Sequence, residues 1–146
     1  MAVKKSSSSP GTRDTPVPAT ISISSAEWSV MELLWEKAPQ SSPDLCESLT
    51  RSQGWKRATS MTLLRRLIDK GAISVEGGAK RWLYSPAVDR ERCIAQETRG
   101  FLDRLFQGAL LPMVAHCLEH QKLSKRELSE LRAMLDEATE KKGRQP

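Results

Sequence analysis

The stretch KRATSMTLLRR, residues 56–66, places two kinds of chemistry side by side. The guanidinium of Arg65 can make a paired contact to the major-groove edge of guanine, and Thr59 or Thr62 can meet a thymine methyl or a base acceptor. Lys56, Arg57 and Arg66, with Arg51 just upstream, suit phosphate oxygens, which fix position without reading sequence. Lys80 and Arg81, in the later turn EGGAKR, suit the same partner. Against this stands a solvated basic helix face, on which Arg66 pairs with Asp69 three residues on.

A second cluster invites a metal. His116 and His120 are four apart, so one helix face can present both, with Cys93, Cys117 or Glu119 as a further ligand. No clear third ligand accompanies them. Three cysteines (Cys46, Cys93 and Cys117), widely spaced and odd in number, make neither a disulfide framework nor a CxxC site. No metal and no cofactor is expected. A Cys–His nucleophile would need a glycine loop or paired carboxylates nearby, and none accompanies it, so the chain is not read as an enzyme.

Charge is segregated. The net charge is only +5, yet residues 23–50 hold one Lys and five acids, whereas residues 51–81 hold eight Lys and Arg against Asp69 and Glu76. The second block calls for an anionic partner. No run is long and apolar enough to span a bilayer, and no apolar stretch follows Lys4 and Lys5 to make a secretory signal. Reduced cysteines fit a cytoplasmic location without membrane insertion.

These residues need elements to hold them. Residues 1–22 are rich in Ser, Pro, Thr and Lys and read as a disordered tail, in which Lys4, Lys5 and Arg13 could brush phosphates. Ser24 and Glu27 have capping-box spacing ahead of a helix with Trp28, Met31, Leu34 and Trp35 near one face. Ala38-Pro39 stops that helix. Ser42 as N-cap and Pro43 at the first helical position start a second one, with Leu45 and Leu49 inward and Gly54 at its end. A third helix spans 57–70. At about 100° per residue, Ser60, Leu63, Leu64, Leu67 and Ile68 share one side of it, opposite Ala58, Thr59, Thr62, Arg65 and Arg66. Gly71 ends it. AISV and WLY then form a two-stranded hairpin over 72–84, with Trp82 most simply core or wing packing and an aromatic nucleic-acid platform as the weaker alternative.

Three helices and a hairpin in this order predict a winged helix-turn-helix at 23–87, the third helix entering the major groove and the wing following the backbone. The fold class is mainly α. Residues 88–140 read as a helical dimerisation domain, with Phe101, Leu102, Leu105, Phe106, Leu118, Leu128, Leu131 and Leu135 as its apolar contacts. Gly108 and Pro112 punctuate it, and Ser124 with Glu127 makes a second capping box. Residues 141–146 read as a flexible end. A homodimer would present paired helices to a double-stranded DNA operator of dyad symmetry.

The segments ISSAEWSVMELLWEKAP, WKRATSMTLLRRLIDKGAISVE, RWLYSPAV and GFLDRLFQGALLPMVAHCLEHQKLSKRELSELRAML resemble the penicillinase repressor family over residues 23–136. The resemblance implies a dimeric winged-helix repressor that blocks transcription at a dyad operator. In the β-lactam-responsive branch it implies a membrane sensor-protease and cleavage before a Phe, here the Gly100–Phe101 bond, where familiar members carry Asn in place of Gly100. The copper-responsive branch carries a C-terminal cysteine cluster that EKKGRQP lacks. Members often open the third helix with Ser-Pro-Lys-Thr; Lys56-Arg57-Ala58-Thr59 stands here instead. Two other readings keep the same fold: a redox- or metal-responsive regulator using Cys93, Cys117 and His116, and a winged-helix module that binds an acidic protein.

Overall fold

The computed structural model describes residues 21–78 and 80–144, so the tail's Lys4, Lys5 and Arg13 lie outside the described residues. The chain divides into two compact units, the first reaching Glu97 and the second starting at Thr98.

In the first unit, helix α1 (Ser25–Glu36) opens on the capping box. The Glu27 N–H donates to Ser24 Oγ (3.1 Å), and the Ser24 N–H donates to Glu27 Oε1 (2.9 Å). Glu27 is only 2% exposed, and the Lys70 ammonium donates to its carboxylate from the far end of the third helix. Lys70 also reaches the Ser22 carbonyl (2.6 Å). Ile21 and Ile23 are buried, so the core takes in Ile21 of the stretch read as tail.

Val30, Met31 and Leu34 are fully buried on α1, and Trp28 meets Trp35 edge to face at 5.3 Å. The helix stops at Glu36, before the cis Ala38-Pro39 bond. Next come a two-residue strand β1 (Gln40–Ser41) and helix α2 (Ser42–Gln53). Here one expectation is corrected: the N-cap is Ser41, whose hydroxyl accepts from the Asp44 N–H (3.3 Å), and Ser42 is already helical. With two adjacent serines before Pro43, the backbone pairing of β1 decides which of them caps. Leu45 and Leu49 are buried, and Gly54 ends α2 at φ 74°.

Helix α3 (Arg57–Lys70) lies where its periodicity puts it and closes at Gly71, φ 87°. Its inner face buries Ser60, Leu63, Leu64 and Leu67. Strands β2 (Ile73–Gly77) and β3 (Trp82–Pro86) pair antiparallel, Val75 opposite Tyr84 and Gly77 opposite Trp82. The expected two-stranded hairpin is in fact part of a three-stranded sheet, because Gln40 and Ser41 add to the free edge of β3 in the order β1-β3-β2.

Helix α4 (Arg90–Phe106) starts in the first unit. Trp35 donates its indole N–H to the Val88 carbonyl (3.0 Å), and Arg90 donates twice to the Glu32 carboxylate (3.1 and 3.0 Å), which also accepts from Trp28. Cys93 joins the core.

The second unit holds the end of α4, helix α5 (Leu110–His120) and helix α6 (Lys125–Arg144). Gln107 and Gly108 take positive φ and end α4, and Pro112 sits in the first turn of α5. Ser124 and Glu127 exchange the two bonds of the second capping box (2.9 and 3.0 Å). Helix α6 continues to Arg144, past residue 140. From Thr98 to Arg144 no described residue is buried.

Two features bear on stability. Ser60 is fully buried and its hydroxyl has no hydrogen-bond partner among the described residues. Ser60→Ala should therefore raise the unfolding free energy by about 1 kcal/mol, the order of cost of an unpaired buried hydroxyl. A lower denaturation midpoint would contradict this.

Burial pushes the Glu27 carboxyl up, but its bonds to Lys70 and to the Ser24 backbone and hydroxyl outweigh that and hold it below its ordinary value of 4.5. Its contribution is complete above pH 4.5 and disappears as the pH falls through the lowered folded-state value. Glu27→Gln should flatten the acid limb of a stability-against-pH curve. An unchanged limb would show that other carboxylates control acid unfolding.

Candidate nucleic-acid interface

The outer face of α3 follows from its inner one. Leu63, Leu64 and Leu67 fix the rotation of the helix, so Ala58, Thr59, Thr62, Arg65 and Arg66 are all exposed. The Thr50 hydroxyl donates to the Trp55 carbonyl (2.8 Å) and ties the approach to α3 back onto α2.

The Arg66–Asp69 pair that the spacing permits is absent: among the described residues neither Arg65 nor Arg66 pairs with a carboxylate. Both guanidiniums keep their donors for an outside partner. Thr62 differs. Its hydroxyl donates to the Ala58 carbonyl (2.9 Å), leaving its methyl and both oxygen lone pairs for an outside partner. Arg51 also departs from expectation. It lies 3.5 Å from the Glu47 carboxylate, both side chains about 70% exposed, a surface pair of small energy.

Lys56 occupies the N-cap of α3 and makes no side-chain capping bond. Its side chain therefore caps none of the first N–H groups of the helix, and Lys56 and Arg57 stand beside them. Arg57 is exposed and its charge opposes the rise that burial imposes on the Cys46 thiol. Lys80 and Arg81 are exposed at the end of the hairpin, where the Gly78 N–H donates to the Arg81 carbonyl (2.8 Å). Trp82, whose simplest reading is core or wing packing, is exposed beside them.

The residues of the second candidate cluster fall in different units. Cys93 is buried in the core of the first unit. On α5 the His116 and His120 rings stack at 4.1 Å, and His120 Nδ1 lies 3.0 Å from the His116 carbonyl. Among the described residues no group of three or more His, Cys, Asp or Glu side chains could hold a metal ion.

A model of the penicillinase repressor family matches residues 23–137. The chain belongs to the penicillinase repressor family. This is a family of transcriptional repressors, not of enzymes. The chain is 32% identical over 120 residues to the penicillinase repressor of Bacillus licheniformis, covering 82% of this chain and 94% of that one. It is 31% identical over 117 residues to the methicillin resistance regulatory protein MecI of Mammaliicoccus sciuri, covering 80% and 95%. Among solved structures it is similar to the DNA-binding domain of the repressor BlaI (29% identity, TM-score 0.45, covering 51% of this chain and 88% of that one). The monomeric form of Bacillus licheniformis BlaI in complex with the blaP half-operator gives the same identity and TM-score, covering 52% and 89%. No helix among the described residues is long and apolar enough to cross a membrane.

The uncapped start of α3 generates a prediction. Lys56→Ser should restore a side-chain cap and raise the melting temperature, by the equivalent of about 1 kcal/mol. The same variant should bind duplex DNA more weakly, having lost a cation beside the first turn of α3. Stability unchanged in a melting experiment would mean that another group already satisfies these N–H donors.

Proposed function

We propose that the protein is a homodimeric repressor that places α3 in the major groove of a dyad-symmetric operator and lays its wing along the adjoining backbone. The observation that carries this is the outer face of α3, where Arg65 and Arg66 are exposed, without a carboxylate partner among the described residues, and held in a fixed rotation by the buried leucines. Arg65 reads a guanine, Thr59 and Thr62 add methyl or acceptor contacts, and Lys56, Arg57, Arg66, Lys80 and Arg81 hold phosphates. A cytoplasmic location suits this work.

The dimer reading rests on the second unit. Phe101, Leu105, Leu118, Leu128 and Leu135 are exposed, as are Leu110, Leu111 and Met134, and Leu102, Phe106 and Leu131 are half-buried. A helical unit with this apolar surface and no interior of its own needs a cover, and a second copy brings the same residues with two-fold symmetry.

Release by a sensor-protease at Gly100–Phe101 is the finer part of the proposal. That bond lies within α4 and is exposed, and a helical glycine weakens its turn by about 1 kcal/mol relative to alanine. Cleavage would then proceed through local opening of α4.

Selection of bound genomic fragments by the full chain, followed by sequencing, tests the reading. Enrichment of a dyad-symmetric motif is expected, with half-sites about one helical turn apart. Arg65→Ala should relax preference at one base pair in each half-site, by about 1–3 kcal/mol of discrimination. Lys80→Ala should weaken all sequences alike. If a folded chain enriches no motif, the reading fails in favour of an acidic protein partner.

A further inference from the structure

Trp82 is the most exposed aromatic side chain of the first unit, 61% accessible, at the start of β3 directly after Lys80 and Arg81. Its place on the sheet follows from alternation. Tyr84, two residues on, is buried in the core, so Trp82 continues the same face of the sheet beyond the edge of that core. Tyr84 shares that core with Leu63, Leu64 and Leu67 of α3.

The indole is also held. Across the ladder its partner is Gly77, and a Cβ added at Gly77 would collide with the six-membered part of the Trp82 ring. Glycine is therefore what lets the ring lie against the opposite strand, a known way of covering a strand glycine. One side of the indole is spent on Gly77 and the rest is free. The other hydrogen bonds made by indoles of this unit are internal: Trp28 donates to Glu32 and Trp35 to the Val88 carbonyl. The Trp82 N–H has no acceptor among the described residues.

We infer that Trp82 is a DNA-contacting residue of the wing, its ring packing on deoxyribose of the flanking backbone and its N–H donating to a phosphate oxygen. This rests on the repressor reading and deepens it. A DNA strand alternates anionic phosphates with apolar sugar faces, and the wing tip offers the matching sequence of Lys80, Arg81 and a fixed apolar plate. Because the ring is already immobilised on Gly77, little side-chain freedom is lost when it docks. The contact is non-ionic, which separates it from its neighbours by measurement. Phosphate neutralisation sets the slope of log K against log salt, whereas a sugar contact shifts the whole line without tilting it.

The experiment is a salt titration of full-chain binding to a mixed-sequence duplex long enough for two half-sites, for wild type, Trp82→Val, Trp82→Phe and Lys80→Ala. Valine keeps strand propensity and removes the ring; phenylalanine keeps an aromatic ring and removes the N–H. Trp82→Val should bind about tenfold more weakly at every salt concentration with the wild-type slope, the loss of a packed ring and one hydrogen bond. Trp82→Phe should fall between. Lys80→Ala should instead flatten the slope. Should Trp82→Val melt before it can be assayed, Gly77→Ala, which retains the indole but displaces it, should show the same parallel loss.

Two results overturn the inference. Trp82→Val isotherms that coincide with wild type leave the indole without a partner on DNA. A slope that flattens as for Lys80→Ala makes the indole a mere support for the wing cations. Absence of wild-type binding would sink the repressor reading together with this inference, whereas a wild-type line matched by Trp82→Val sinks this inference alone.

Discussion

One carboxylate organises the first unit. Glu27 caps α1 through Ser24 and accepts the Lys70 ammonium from the last residue of α3, while Lys70 also takes the Ser22 carbonyl. The entering chain, the start of α1 and the end of α3 thus meet at one buried charge. A buried carboxylate without a cation would be costly, so α3 cannot slide along its axis without leaving Glu27 unpaired. The apolar contacts of Leu63, Leu64 and Leu67 set the rotation of α3, and the ion pair sets its translation. Both degrees of freedom of the helix are thereby fixed.

A second layer of polar ties anchors the chain beyond the wing. Glu32 gathers Trp28 and Arg90, and Trp35 holds the Val88 carbonyl. The first turns of α4 therefore belong to the first unit, with Cys93 in its core. Glu27 and Glu32 serve these internal ties and Glu47 pairs with Arg51 on the α2 surface, while Lys56, Arg57, Arg65, Arg66, Lys80 and Arg81 stay exposed. The charge segregation visible along the chain is thus carried into space by the packing of three helices.

Much of this was legible because the signals are local. Gly54 and Gly71 bracket α3, its leucines recur with helical period, and Ser24-Glu27 and Ser124-Glu127 have the spacing of reciprocal caps, so these features could be placed from residue types alone. What escaped depends on residues distant in sequence. Strand β1 is two residues long and exists through its pairing with β3, more than forty positions away. The same pairing moves the cap from Ser42 to Ser41. The Glu27–Lys70 pair spans 43 residues, and no periodicity announces it. At the candidate site, Arg65 and Thr59 were readable as outward-facing. That Thr62 bonds back to Ala58, that Arg51 pairs with Glu47 and that Trp82 lies over Gly77 are matters of rotamer and register, which sequence spacing does not encode.

The helices after Thr98 leave no described residue fully buried. Such a unit draws its order from whatever covers it, so its stability is a matter of mass action rather than a fixed property of the chain. With a second copy as the cover, the fraction of folded C-terminal halves rises with the amount of protein made. Occupancy of a paired site then grows more steeply than the protomer supply. A cell would obtain a threshold from this: below a certain abundance the gene is open, and above it the gene closes over a narrow range, with no ligand needed to sharpen the response.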